Sequence, residues 1–339
     1  MNVLFLCSYL SGYLFKSIEY LSTDNNITVE IIHWGKEEVA PYKFESKNTL
    51  LLKSEIADLT AHCMRCNPQI CYVAGWIDKD YLTIARKLKR NGTKVIGAVD
   101  NPWNGSLKQQ ALALAGRFYF RSVFDYVWVA GKKQYYFVRK LDFPADRVLK
   151  GLYVADIELF SKQKRTVWNK EILYAGRLEE IKGVSLLYQV FSGLNENERN
   201  GWTLRIVGNG KLKDQIQPTS SISVMDFIQQ DELAKLSCEV GAFVLPSTYE
   251  HWGVVVQEFA SASLPMVVSS EVNAREEFVI HNYNGYVFQS LNAASLKSAL
   301  VRIFNLDEES LCIMGNRSRQ LAFRWTHEYW KATLLSVLE

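Results

Sequence analysis

The sequence predicts an α/β chain built from two doubly wound, mostly parallel sheets. Three observations carry this. Short apolar, β-branched runs alternate with helical patterns along nearly the whole chain, as strand–helix–strand crossovers require. The alternation starts a second round after residue 168, behind a polar stretch, SKQKRTV at 161–167, that reads as an interdomain linker. The chain has 339 residues, 48% hydrophobic and 22% charged, which is long for one domain and apolar enough for two cores. The expected domains run 1–160 and 168–324.

In the first half, strands are expected at 2–7, 28–33, 70–73, 94–99 and 126–129. Helical patterns fall at 12–21, 55–66, 79–90, 107–123 and 132–141, punctuated by Gly75, Gly92 and Gly131. In the second half, 171–175 is a strand ending in Gly176, and 204–207 is a strand ending in Gly208-Asn209-Gly210. A short strand follows at 221–227. The stretch 241–288 then organises the rest. An apolar run at 243–245 stops at Pro246, a polar loop ends in Gly253, and a helix follows that stops before Leu264-Pro265. Further strands lie at 266–268 and 285–288. Crossovers of this kind bind ligands at the carboxyl ends of their strands. The segment 323–338 carries Trp325, Tyr329, Trp330, Leu334, Leu335 and Leu338 at helical spacing, which suits a last helix docked on another domain.

A formal charge of +3 gives no global nucleic-acid signal. The charge is uneven, however: 107–150 holds nine Lys/Arg against three acids, Asp125, Asp142 and Asp146, pointing to an anionic partner on that side. No apolar run approaches the ~20 residues of a spanning helix. Met1 leads almost directly into a buried-strand pattern rather than a signal peptide, and six scattered cysteines fit a reducing compartment, so a cytoplasmic location is expected. Cys63 and Cys66 form a C-x-x-C, but no second pair or His couple completes a zinc site, and the spacing reads as a coincidence on a helix face, with a redox or metal role as the alternative.

Three places can carry chemistry. In YAGRLEEIKG, 174–183, Arg177 and Lys182 lie in the turn after a strand, where a helix start and two cations suit a diphosphate, or equally a solvated helix start with Arg177 paired to Glu179 or Glu180. Gly208 and Gly210 permit close backbone approach by a ligand, or simply make a tight turn. Around Gly253, the helix tip offers free amides, and Glu258 follows Val254 on the same helix face. A carboxylate suits a pair of sugar hydroxyls because it accepts from both. Glu250, before the glycine, can serve another sugar in the same way. No G-x-G-x-x-G follows a strand, which disfavours a nicotinamide dehydrogenase.

YAGRLEEIKG, LRIVGNG (204–210), LPSTYEHWGVVVQEFASASLPMVVSS (245–270) and NYNGYVF (282–288) together resemble the family 4 retaining glycosyltransferases. The paired glutamates with seven residues between them are the most specific mark, and the likeness covers essentially the second half. KGLYVADIELF, 150–160, resembles the family's interdomain junction, with Leu152-Tyr153 in place of Asn-Gly. The resemblance implies a GT-B fold: two Rossmann-like domains facing a central cleft, with a C-terminal helix (325–339) crossing back to the first. It also implies that the second domain binds a nucleoside-diphosphate sugar, a UDP-sugar being favoured, and the first an acceptor. Arg177 and Lys182 match the diphosphate-holding residues, and Glu258 the ribose ligand. Glu250 matches the glutamate near the donor sugar, while Gly253, Val254 and Val255 lie beside the sugar and distal phosphate. Gly208 and Asn209 stand in the matching glycine turn, and Phe227 and Ile228 beside the base. The departures lie mostly in the first half. Only Gly12 remains of the usual glycine pair in the first loop, and AVDN puts Val99 or Asp100 where the family often has a histidine. Ser263 replaces a usual glycine.

The expected activity is metal-independent, retaining hexosyl transfer to a glycan or lipid-linked saccharide, in bacterial-type surface polysaccharide synthesis. No cofactor is expected. RFYFRSVF (117–124) and KKQYYFVRK (132–140) mix cations with aromatics, as at the surface of an anionic membrane, or as a core with a solvated rim. The alternatives are a non-catalytic nucleotide-sugar-binding protein and a nucleotide-sugar epimerase of the same fold.

Overall fold

A computed structural model describes residues 1–35, 46–163, 165 and 168–339. The chain forms two compact units, 1–154 together with 325–339, and 155–324. The division falls at Val154, six residues before the expected boundary. The reason is local: the Ala155 amide donates to the Gln257 side chain at 2.9 Å, and Phe160, on the helix Ile157–Ser161, packs edge-on against Phe259. The segment 161–167 is therefore not the junction; of its residues, 164, 166 and 167 lie outside the described ones.

Among the described residues the first unit holds seven strands: β1 (Asn2–Cys7), β2 (Thr28–His33), β3 (Thr49–Leu52), β4 (Ile70–Val73), β5 (Lys94–Val99), β6 (Tyr126–Val129) and β7 (Val148–Lys150). Their order is β3-β2-β1-β4-β5-β6-β7, all parallel. The central strands are continuous apolar runs because helices cover both faces; Val3 to Cys7 of β1 and all of β4 are buried. Both edge strands escape a reading of apolar runs. β3 is only half-buried, and β7 is three residues long behind a 3₁₀ turn. The helix expected at 55–66 is shorter, Leu59–Arg65, because the Asp58 carboxylate accepts from the Ala61 amide and fixes the start. The C-terminal helix His327–Leu335 belongs to this unit. Its Trp330 is buried, stacks on Trp128 with centroids 4.9 Å apart, and donates Nε1–H to the Leu152 carbonyl at 3.0 Å.

The second unit holds β8 (Glu171–Ala175), β9 (Thr203–Val207), β10 (Ile222–Met225), β11 (Ala242–Leu245), β12 (Met266–Ser269) and β13 (Gly285–Phe288). The order is β10-β9-β8-β11-β12-β13, again all parallel. Strand order reverses between β8 and β11 here, and between β1 and β4 in the first unit. In such sheets the loops that leave this switch point diverge and open a crevice at the carboxyl ends of the strands.

Candidate functional site

The chemistry-bearing residues of the second unit leave the two strands that flank its switch point. After β8 the chain turns through Arg177 and a 3₁₀ turn, Glu180–Lys182, into the helix Val184–Ser192. The buried Tyr174 hydroxyl donates to the Arg177 carbonyl at 2.7 Å, which fixes the start of that turn. After β11 the loop runs from Pro246 to Gly253 and enters the helix Val254–Ser261. The two loops are bonded to each other. Thr248 donates its amide to the Ile181 carbonyl at 2.9 Å, and Lys182 Nζ lies 2.5 Å from Glu250 Oε2.

The Lys182–Glu250 pair is the centre of this arrangement. Both side chains are largely shielded, 15% and 14% exposed, so the pair is far less screened than a surface ion pair. Ser247 Oγ donates to the same carboxylate oxygen at 3.3 Å, and Asn273 holds the Glu250 carbonyl at 2.9 Å. Arg177 is more exposed and pairs with Glu179 at 3.3 Å. The sequence places both cations in one turn but carries no signal for the pairing of Lys182 with Glu250, which stand 68 residues apart.

Gly253 has φ +96°, a conformation that L side chains rarely adopt. A Cβ there would stand 3.1 Å from Glu250 Cγ and from Val272 Cγ1. The glycine thus seats Glu250 and the helix entry, a structural demand apart from any room it leaves for a ligand. Among the described residues no side chain caps the helix at this end, and by helix geometry the Val254 and Val255 amides have no carbonyl partner inside it.

Glu258 is buried one turn on and accepts from Gln230 Nε2 at 3.1 Å. Burial, with the Asp156 carboxylate adding to it, pushes its pKa up to about 7, against a smaller opposing effect of the Gln230 amide. Gln230 opens the helix Gln230–Ser237 just after Phe227 and Ile228, which are both half-exposed. Asp156 and Gln230 are absent from the sequence-derived set. Asp156 lies in the junction 150–160 and Gln230 two residues after Ile228, but nothing in the sequence marks either as a partner of Glu258.

Gly208 serves a purpose other than ligand access. A Cβ on it would fall 1.9 Å from the Gly176 carbonyl oxygen, so the residue lets the β8 and β9 loops cross. Asn209, with its amide nitrogen turned to Asp226, donates to Oδ1 at 2.7 Å and ties this loop to the segment bearing Phe227.

In the first unit, Gly12 opens the helix Gly12–Leu21 after β1, and Asp100 follows β5. The Asp100 side chain accepts from the Tyr153 hydroxyl at 3.2 Å, its carbonyl accepts from Gln134 at 2.8 Å, and Tyr153 packs edge-on against Tyr13. Tyr153, noted in the sequence only as a departure, is therefore the partner that holds Asp100. An Asp-x-Asp spacing does occur at Asp78 and Asp80, although the reading of the sequence as metal-independent found none. Lys53 takes up both carboxylates, at 2.7 and 2.8 Å, while Asp78 also caps the helix Lys79–Arg90 and accepts from Trp34.

Residues 156–321 match the family described as glycosyl transferases group 1. The match covers nearly all of the second unit. An uncharacterized glycosyltransferase of Methanocaldococcus jannaschii is 31% identical over 143 residues, covering 40% of this chain and 36% of that protein. A glycogen synthase of Mycobacterium tuberculosis is 32% identical over 190 residues, 53% of this chain and 44% of that one. The chain thus spans less than half the length of either relative. Among solved structures, HepE of Anabaena, in complex with UDP, superposes with a TM-score of 0.77 at 12% identity, covering 100% of this chain and 99% of that one. That likeness is one of fold, GT-B. The matched residues include Arg177, Lys182, Glu250, Gly253 and Glu258.

Proposed function

We propose that the chain is a retaining glycosyltransferase that moves a hexosyl group from a nucleoside-diphosphate sugar, a UDP-sugar being favoured, to a saccharide or lipid-linked saccharide. The observation that carries this reading is the placement of Lys182, Glu250 and the open helix tip at Val254 on the two loops that leave the switch point of the second unit. The family match supports the reaction class. HepE, solved with UDP and with UDP-glucose, supports the donor class.

In this reading the diphosphate meets Arg177, Lys182 and the Val254 and Val255 amides. Lys182 exchanges Glu250 for a phosphate oxygen, and the released carboxylate orients the donor sugar. Glu258 takes the ribose hydroxyls, and Phe227 and Ile228 border the base. The bond from the anomeric carbon to the leaving phosphate oxygen breaks as charge develops on that oxygen. The cations and amides stabilise the charge there, one such donor being worth about 3 kcal/mol. The acceptor hydroxyl attacks the same face of the sugar and gives its proton to the leaving oxygen. Such chemistry uses neither a protein nucleophile nor a metal. Asp100 and Gly12 belong to the acceptor side.

The acceptor is proposed to lie at an anionic membrane, with the protein on the inner face of the plasma membrane in surface polysaccharide synthesis. On the helix Leu107–Val123, Leu107, Leu114 and Phe118 are 83%, 74% and 72% exposed along one stripe, beside exposed Lys108, Arg117 and Arg121. Phe120 and Phe124 of the same segment are buried core. Among the described residues no helix is long and apolar enough to cross a membrane. Cosedimentation with anionic vesicles tests this part: Leu114→Glu with Phe118→Glu should abolish it, and unchanged sedimentation would refute it. The activity is tested with a panel of nucleotide sugars. Nucleotide release that depends on a saccharide acceptor is expected. Tight nucleotide-sugar binding without turnover would favour a binding protein, and acceptor-independent interconversion of the sugar an epimerase.

A further inference from the structure

A second cluster of chemically matched side chains lies in the first unit, independent of the nucleotide-side residues. His62 and Cys66 are four apart at the end of the helix Leu59–Arg65, so they share one face, and that face meets Glu30 on β2. His62 Nε2 lies 2.6 Å from Glu30 Oε1, and Cys66 Sγ lies 3.3 Å from the same oxygen. One ligand atom from each residue falls within 4.8 Å of the other two. A tetrahedral zinc with bonds of about 2.0–2.3 Å needs ligand atoms roughly 3.3–3.8 Å apart, so only small side-chain movements separate this cluster from that geometry.

The frame is fixed by backbone. Glu30 is locked in the sheet opposite Leu4 and Thr49, and the Asn2 side chain donates to the Cys66 carbonyl at 2.9 Å. His62 and Glu30 keep 26% and 21% exposure, which leaves water a route to a fourth position. Cys63 points elsewhere; it is fully buried in the core. The C-x-x-C spacing therefore misleads, and the ligand pair is the His-x-x-x-Cys that overlaps it, with its third member supplied from a strand 32 residues earlier than His62.

We propose that Glu30, His62 and Cys66 form a binding site for a zinc-type divalent cation, with the fourth position open to water. One thiolate, one imidazole and one carboxylate select such an ion over magnesium or calcium, which take oxygen ligands. On binding, the Cys66 S–H proton is released to solvent as the metal–sulfur bond forms, the proton held between His62 Nε2 and Glu30 also leaves to solvent, and the His62–Glu30 contact is exchanged for two metal bonds. The ion then pins this helix to β2.

The test uses the full chain, treated with chelator and titrated with zinc and with cobalt(II) alone. One zinc per chain is expected by calorimetry, together with a thiolate-to-cobalt charge-transfer band. Cys66→Ser should abolish the band and His62→Ala should abolish zinc binding. Glu30→Gln should weaken binding while keeping the band. Cys312→Ser, which removes an exposed thiol of the other unit, should change nothing. Circular dichroism establishes that each variant is folded. The absence of a thiolate band, its persistence in Cys66→Ser, or its loss only in Cys312→Ser would each overturn the proposal.

Discussion

Glu258 is 6% exposed on the helix Val254–Ser261, and its raised pKa of about 7 has a definite consequence for stability. The folded state holds this proton more tightly than the unfolded chain, whose carboxyl titrates near its ordinary value of 4.5. Below 4.5 both states are protonated and nothing changes. Between 4.5 and about 7 the unfolded state loses its proton first, so stability falls as pH rises, by about 3 kcal/mol in total. Above 7 the penalty is constant. Urea unfolding at a series of pH values should show this slope in the native chain and a flatter one in Glu258→Gln. The same residue gives a functional prediction. If the ribose hydroxyls donate to an ionised Glu258, the difference in nucleotide affinity between the native chain and Glu258→Gln grows as pH rises through 7.

The helix that carries Glu258 ends in a way that explains a departure in the sequence. The Leu264 amide reaches the Phe259 carbonyl at 3.2 Å and the Ser263 amide reaches Ala260 at 3.0 Å, the two bonds of a Schellman motif, and Pro265 then prevents continuation. The residue at the left-handed position of that motif is Ser263, with φ +62°. Glycine takes this conformation without the cost a Cβ brings. Ser263→Gly should therefore stabilise the protein by about 1 kcal/mol, read as a rise in urea midpoint at unchanged m-value. At the other end of the helix, Gly253→Ala should cost about 1–3 kcal/mol and displace Glu250, because the new methyl presses on Glu250 and Val272.

At the scale of the whole molecule, the last residues complete the first unit. Trp330 stacks on Trp128 and, at 6.3 Å, on Phe5; Tyr20 donates to Glu328 at 2.7 Å, and Lys331 pairs with Asp24 at 3.2 Å. Trp330→Ala should cost the first unit about 3–5 kcal/mol. Calorimetry should show its transition move down while that of 155–324 stays in place.

Buried parallel strands are largely apolar, β2 being interrupted by Glu30, so β1, β2, β4, β5 and β6 can be bounded from the sequence pattern. The edge strands β3 and β7 cannot, since each is short and half of its surroundings are solvent. The loops after β8 and β11 are visible because polar residues and glycines interrupt apolar runs there. Tertiary pairings are not visible. Nothing local tells that Lys182 faces Glu250, that Tyr153 holds Asp100, that Gly208 exists for the crossing of two loops, or that Glu30 meets His62.

Calorimetric titration with UDP, GDP and ADP shows whether Arg177 and Lys182 receive the diphosphate of a nucleotide donor. The native chain should bind one of these nucleotides at one site per chain. The double variant Arg177→Ala, Lys182→Ala should bind it roughly 100-fold more weakly or worse, since two charged hydrogen bonds are lost. Binding of no nucleoside diphosphate by the native chain, or equal affinity in a folded double variant, would contradict the account.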